Sequence, residues 1–190
     1  MNTMSNIILA SASPRRRELL RNMGYDFLVI PADIDESRLS STESPVDYVK
    51  RLSMAKAMKI LDDNRSSIVI GVDTIVALGM QIYGKPADYE DFKRIMTSLS
   101  GQTHLVHTGL SVVSIDKKVN MCVTTEVTFV KLAEKDIEYY WSTGEPKDKA
   151  GGYAIQGIGN AFIRKISGSV SSVIGLPQAE LRDVFSSFSV

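Results

Sequence analysis

The chain has 190 residues, 44% of them hydrophobic, which suffices for one large domain, or one domain folded as two lobes around a cleft, with a sizeable core. Lysine plus arginine and aspartate plus glutamate number 22 each, so the net charge is zero and the basic surplus of a non-specific nucleic-acid binder is missing. A lone cysteine, Cys122, excludes an intramolecular disulfide; in its apolar-alternating run it reads as a buried small hydrophobe rather than a nucleophile.

Apolar runs such as Ile68–Val72 fall far short of a membrane span, and Met1–Ala10 lacks the charged and long apolar regions of a secretory signal. The expectation is a cytoplasmic protein with neither membrane nor nucleic-acid partners.

In chain order, Asn6–Ala10 reads as a short buried strand and Arg15–Met23 as a helix stopped by Gly24. Tyr25–Pro31 reads as a strand, and Ser44–Pro45 opens the next helix as N-cap and first helical residue. Ser67–Leu78 is a β-branched apolar strand interrupted by Asp73. Asp88 caps a helix whose Phe92, Ile95, Met96 and Leu99 recur at helical spacing, closed by Gly101. Thr103–Ile115 and Val119–Leu132 form a hairpin around Asp116–Lys118, and Glu134–Ser142 is a helix ended by Gly144. A Gly-rich stretch, a strand near Asn160–Ile166, a turn at Ser167–Ser169 and a last helix from about Pro177 complete the chain. Crossovers mixed with hairpins predict an α/β fold with a mixed sheet and flanking helices.

The segment Ser11–Leu20 joins a buried strand to a helix start, with Ser13 as cap and Pro14 as first helical residue. Such an end is an anion site, yet Arg15, Arg16 and Arg17 crowd its first turn, where the helix dipole disfavours cations. A bound phosphate explains that arrangement; a solvated basic turn paired with carboxylates is the alternative. Asp73 in mid-strand is costly to bury unless it is paired or binds metal; the alternative places it on a solvent-facing edge. Asp33, Asp35 and Glu36 form an acidic cluster, either a merely solvated loop or one able to help Asp73 hold a hard cation beside phosphates.

Lys56 shares its helix phase with Val49 and Leu52, so it either snorkels outward or points into a cleft. Lys85 lies between Gly84 and Pro86, in a phosphate-facing or merely exposed loop, and no Walker A run is present. His104 and His107, three apart on a strand, point to opposite faces and make a poor metal pair. Gln156, amid the glycines of Asp148–Gly159, either reads the edge of a base or projects into solvent from a hairpin.

Taken in order, Ser11-x-Ser13-Pro14-Arg15-Arg16-x-Glu18-Leu19-Leu20, Asp35-Glu36, Arg51-Leu52 with Lys56, Asp73-Thr74 and Gly84-Lys85-Pro86 resemble the Maf family of nucleoside triphosphate pyrophosphatases. Leu99-Ser100-Gly101, Asp148-Lys149-Ala150-Gly151, Ile155-Gln156-Gly157 and Gly175-Leu176-Pro177 extend the match from about Ile7 to Phe188. The resemblance implies two lobes of a twisted mixed sheet around a central cleft, with no separable linker across 1–190, often as a homodimer.

It further implies metal-dependent hydrolysis of a nucleoside triphosphate to monophosphate and pyrophosphate, by water attack at the α-phosphorus. The Gln156-Gly157 form looks like the dTTP/UTP branch, whereas a branch acting on 7-methyl-GTP carries Glu there. By the same matching Asp73 is the catalytic carboxylate and, with Glu36, holds Mg²⁺ or Mn²⁺. Ser11, Arg15, Arg16, Lys56 and Lys85 contact the triphosphate, and Arg15, Thr74 and Gln156 tune base choice. Residues 168–175 depart from the aromatic and Asn pattern usual before Val-Val-Gly-Leu-Pro. The competing readings are a nucleotide-binding sensor or cell-division regulator, and a pyrophosphatase for modified purine triphosphates.

Overall fold

The computed structural model describes residues 6–188; residues 1–5 of the stretch weighed as a secretory signal lie outside them. Strands β1 (Asn6–Leu9), β2 (Phe27–Val29), β3 (Ser67–Leu78), β4 (Gln81–Tyr83), β5 (Thr103–Val113), β6 (Lys118–Phe129) and β7 (Ile163–Ser167) form one sheet. Its order is β2-β1-β3-β5-β6-β7, with β4 on β3. β1 pairs in parallel with β2 and β3, and the remaining pairings are antiparallel. The sheet is mixed, as expected.

Helices α1 (Pro14–Asn22), α2 (Pro45–Leu61), α3 (Tyr89–Leu99), α4 (Glu134–Ser142), α5 (Val170–Ile174) and α6 (Gln178–Ser186) flank it. The first three start where the caps were expected: Ser13, Ser44 and Asp88 accept from the backbone N–H groups of Arg16, Asp47 and Asp91. Two elements went unread, β4 and the one-turn α5. The stretch read as a strand from Asn160 begins as a 3₁₀ turn, Ile158–Phe162, and becomes β7 only at Ile163.

Three apolar clusters hold these layers. One joins β1 and β3 to α1 and α6 through Leu20, Ile70, Val72, Leu181 and Phe185. A second joins α3 and α4 to β5 and β6 through Phe92, Met96, Phe129 and Tyr140. The third lies between α2 and the sheet, where the backbone approach is closest: a Cβ on Gly71 would fall 2.1 Å from the Ser53 carbonyl oxygen, and one on Gly109 2.2 Å from that of Val49. These glycines let α2 settle directly onto β3 and β5.

His104 and His107 are buried on opposite faces, bonded to the Tyr153 hydroxyl at 2.7 Å and to Thr124 at 2.9 Å. Cys122 corrects its expectation: it is half-buried, its Sγ 3.9 Å from the Thr124 hydroxyl, and burial pushes the thiol up from its ordinary value.

Candidate active site

The cleft originates in a pairing gap. On one flank β3 is covered by β1 up to Ile70, then by β4 from Val76; β5 covers the other flank from Val69 to Ala77. Between those two partners β1 turns away into Ser11 and α1. Asp73 lies at the middle of this opening, in a cleft of about 530 Å³. It is 6% exposed on a central strand, so the solvent-facing edge alternative does not hold.

Strand alternation sends Asp73 and Thr74 to opposite faces of the sheet. Asp73 faces α2, where Lys56 Nζ donates to its Oδ1 at 2.6 Å. The same Nζ lies 2.7 Å from Glu36 Oε1, so one ammonium bridges two carboxylates. Lys56, 7% exposed, therefore points into the cleft rather than outward. Asp73 Oδ2 has no hydrogen-bond partner among the described residues.

Glu36 is held from α2 as well. Tyr48 donates its hydroxyl to the Glu36 carbonyl at 2.7 Å, and Arg51 binds the Ser37 carbonyl at 3.0 Å and the Glu43 carboxylate at 2.7 Å. Burial, then the negative charges of Asp73 and Glu36, push the Tyr48 hydroxyl up from its ordinary value, keeping it a donor. Asp33 and Asp35 are exposed and do not line the cleft; of the acidic cluster only Glu36 does.

Thr74 faces α1 and accepts from Arg16 Nη2 at 3.1 Å. Arg16 Nε also donates to the Gly175 carbonyl at 2.9 Å, and Nη1 to Ser11 Oγ at 3.1 Å. A guanidinium has five N–H donors, so two remain for a ligand after these three contacts. Burial pulls Arg16 below its ordinary value and Asp73 opposes that pull. Behind Thr74, the buried Thr108 hydroxyl lies at 3.0 Å and itself donates to the Ser172 carbonyl at 2.9 Å. Thr108 thus accepts from Thr74, and a directed chain runs from Arg16 to the backbone of α5.

Arg15 donates to Asp148 Oδ2 at 3.3 Å from the opposite wall. Burial pushes Asp148 up, but Lys149 and Arg15 outweigh it and hold the carboxyl below its usual range. Lys85 and Gln156 are exposed on the cleft rim and hydrogen-bond to no described residue. The nine residues that the family resemblance assigned to the site line this one cleft: Ser11, Arg15, Arg16, Glu36, Lys56, Asp73, Thr74, Lys85 and Gln156.

Comparison with known proteins gives this cleft a context. The profile of the Maf-like protein family matches residues 6–188. The chain belongs to that family. A dTTP/UTP pyrophosphatase of Vibrio cholerae is 46% identical over 98% of this chain and 100% of its own length. A dTTP/UTP pyrophosphatase of Vibrio parahaemolyticus is 44% identical over 99% of this chain and 100% of its own. Among solved structures, the Staphylococcus aureus Ham1 protein superposes with a TM-score of 0.48 at 13% identity, covering 66% of this chain and 72% of that one.

Within this Maf-like cleft three side chains escaped the sequence reading. Tyr48 lies two helical steps of four residues before Lys56, so the phase of Lys56 pointed to it. Lys149 and Asp148 stood in a quoted motif without a role; Lys149 binds Asp148 and, at 3.2 Å, the Glu145 carbonyl, and lines the wall facing Arg15. The unusual residues 168–175 supply the one-turn α5, whose Val173, Ile174 and Gly175 close the cleft beside Arg16. No helix among the described residues is long and apolar enough to cross a membrane.

Proposed function

We propose that this Maf-like protein hydrolyses nucleoside triphosphates, dTTP and UTP foremost, to the monophosphate and pyrophosphate, using a divalent metal. The observation that carries this reading is the carboxylate–ammonium–carboxylate set of Asp73, Lys56 and Glu36 in a cation-lined cleft. The relatives at 44–46% identity, aligned over nearly their whole length and named for dTTP and UTP, support the choice of substrate.

Among the described residues no three His, Cys, Asp or Glu side chains converge on one point. Two carboxylates nevertheless fit Mg²⁺ or Mn²⁺, because Mg²⁺ is habitually held by one or two carboxylates, with substrate phosphates and water completing its shell. Asp73 and Glu36, which Lys56 brings together, would be those ligands. The metal supplies charge neutralisation at the phosphates and polarisation of the attacked phosphorus.

Asp73 Oδ2, without a hydrogen-bond partner among the described residues, accepts a proton from the water that attacks the α-phosphorus. Lys56, Lys85, Arg15 and the two spare N–H groups of Arg16 bind the phosphate oxygens and stabilise the departing pyrophosphate. Ser11 Oγ, fixed by Arg16 and by the Ser13 N–H, faces the same oxygens. Gln156 reads the base from the rim, and Arg15 and Thr74 shape its approach.

We read the chain as one domain of two lobes, acting in the cytoplasm as a homodimer. The outer side of β6 over Lys118–Thr125 has no strand partner among the described residues, since β7 joins only at Glu126. Such an edge is a ready template for pairing with a second copy.

The test is pyrophosphate release by the purified protein from dTTP, UTP, CTP, purine triphosphates and 7-methyl-GTP, with Mg²⁺, Mn²⁺ or chelator. Metal-dependent release from dTTP and UTP is expected. Release from purine or methylated substrates instead would overturn the role given to Gln156, and tight binding without turnover would overturn the enzymatic reading.

A further inference from the structure

Gln156 sits at the apex of a loop that is secured on both sides by groups outside the cleft lining. Two residues before it, the Ala154 N–H donates to the Tyr140 hydroxyl at 3.1 Å. Two residues after it, the Ile158 N–H donates to Glu145 Oε2 at 3.0 Å, and the next N–H, of Gly159, to Oε1 at 3.1 Å. The two anchors are one unit, because Tyr140 donates its own proton to Glu145 Oε1 at 2.7 Å.

The fit between loop and anchor is tight. A Cβ on Gly157 would lie 2.3 Å from Glu145 Oε2, and one on Gly159 2.5 Å from the Tyr140 hydroxyl oxygen. The anchor itself is immobilised by the core: the Tyr140 ring is fully buried against Phe162 and Phe92, with centroids 5.1 and 6.0 Å away. Burial pushes the Glu145 carboxyl up, yet the hydrogen bonds from Tyr140, Gly159 and Ile158 outweigh it and hold the group ionised. A carboxylate taking three such bonds outside the cleft lining is a device for fixing backbone. The backbone it fixes carries Gln156.

We propose that Glu145 is a positioning residue for base selection: with Tyr140 it clamps the chain on both sides of Gln156 and sets where that amide meets the base. The proposal rests on the reading of Gln156 as the base-recognising residue. Glu145 touches no substrate. Its loss releases the loop, so the amide no longer stands ready and substrates with the correct base lose their advantage.

The experiment compares kcat/KM for dTTP and dCTP in the unmutated protein and in Glu145→Ala, Gln156→Ala and the double variant. The dTTP preference is expected to fall about tenfold in Glu145→Ala, the scale of one hydrogen bond of the stronger kind, chiefly through KM for dTTP. Gln156→Ala should show a similar fall, and the double variant little more than either single one. Glu145→Gln keeps one acceptor oxygen for Tyr140 and Gly159 but turns an amide toward the Ile158 N–H; it should be intermediate, and it carries the test if Glu145→Ala does not fold.

A Glu145 variant that melts at lower temperature with its dTTP preference intact, beside a Gln156→Ala variant that has lost it, would overturn the clamp alone. An unchanged preference in Gln156→Ala would overturn the Gln156 reading and the clamp with it.

Discussion

The two ends of the cleft are built on opposite plans. At the phosphate end the functional groups are themselves the structural ties: Lys56 binds Asp73 and Glu36, and Arg16 binds Ser11, Thr74 and Gly175. At the base end Gln156 is exposed and hydrogen-bonds to no described residue, while residues outside the cleft lining hold the backbone beneath it. Charged groups that must be buried before substrate arrives need partners in the empty protein, since an unpaired buried charge costs several kcal/mol. A neutral amide at the rim carries no such cost, and there the burden falls on the backbone. Substitutions of the paired groups Asp73, Lys56 and Arg16 should therefore disturb chemistry and stability together, whereas substitution of Gln156 should disturb selectivity alone and that of the exposed Lys85 chemistry alone.

The sharpest way to break this comparison is Asp73→Asn. It preserves the shape of the β3 opening but removes the proton acceptor, and turnover should fall by roughly 10²–10⁴-fold with the folded circular dichroism spectrum retained. Near-normal pyrophosphate release would remove Asp73 from that role. Lys56→Met comes next, because it strands Asp73 without its nearest cation. Removing one partner of a buried pair costs about 3–5 kcal/mol, and the proximity of Arg16 to Asp73 together with the exposure of Glu36 places this case at the lower end. Urea denaturation should show that loss together with lost activity; an unchanged midpoint would mean that the bridge is not structural.

Beneath the base end, His104 gives a pH signature. Burial pushes it down to about 4 in the folded protein, against about 6.5 when unfolded. Between those values the unfolded chain binds more protons, so stability is constant above pH 6.5 and falls as the pH drops toward 4, by up to roughly 3 kcal/mol. Denaturation at pH 7.5 and pH 5 should show this slope, and His104→Gln should reduce it, the remainder coming from His107, which burial also pushes down. The smallest effect is expected from Thr108→Val, which keeps shape but deprives Thr74 of an acceptor and the Ser172 carbonyl of its donor. A loss of about 1–3 kcal/mol should accompany a raised KM, with any change in base selectivity smaller than that of Gln156→Ala. A change in base preference as large as that of Gln156→Ala would blur the division between the two ends.

The same division governs how much was legible in the sequence. A carboxylate interrupting Ile70–Val76, arginines massed at a helix start and a lysine in apolar phase are local anomalies, visible because each breaks the pattern around it. Which of them meet was not visible: Lys56 reaches Asp73 only because Gly71 and Gly109 admit α2 against the sheet, a fact of tertiary packing. Helix α4 was bounded correctly with Gly144 as its stop, and β3 by its β-branched run. The turn of α5 is too short to display a helical period, and β4 too short to display alternation. Glu145 lies 13 residues from Ile158, joined to it through irregular backbone, and no sequence period links a carboxylate to the N–H groups it receives.

The central claim is that the phosphate end directs water to the α-phosphorus. Hydrolysis of dTTP in ¹⁸O-labelled water, followed by mass spectrometry of both products, tests it directly. The account predicts one ¹⁸O atom in the monophosphate and none in the pyrophosphate; label in the pyrophosphate would show attack at the β-phosphorus and contradict the role assigned to Asp73.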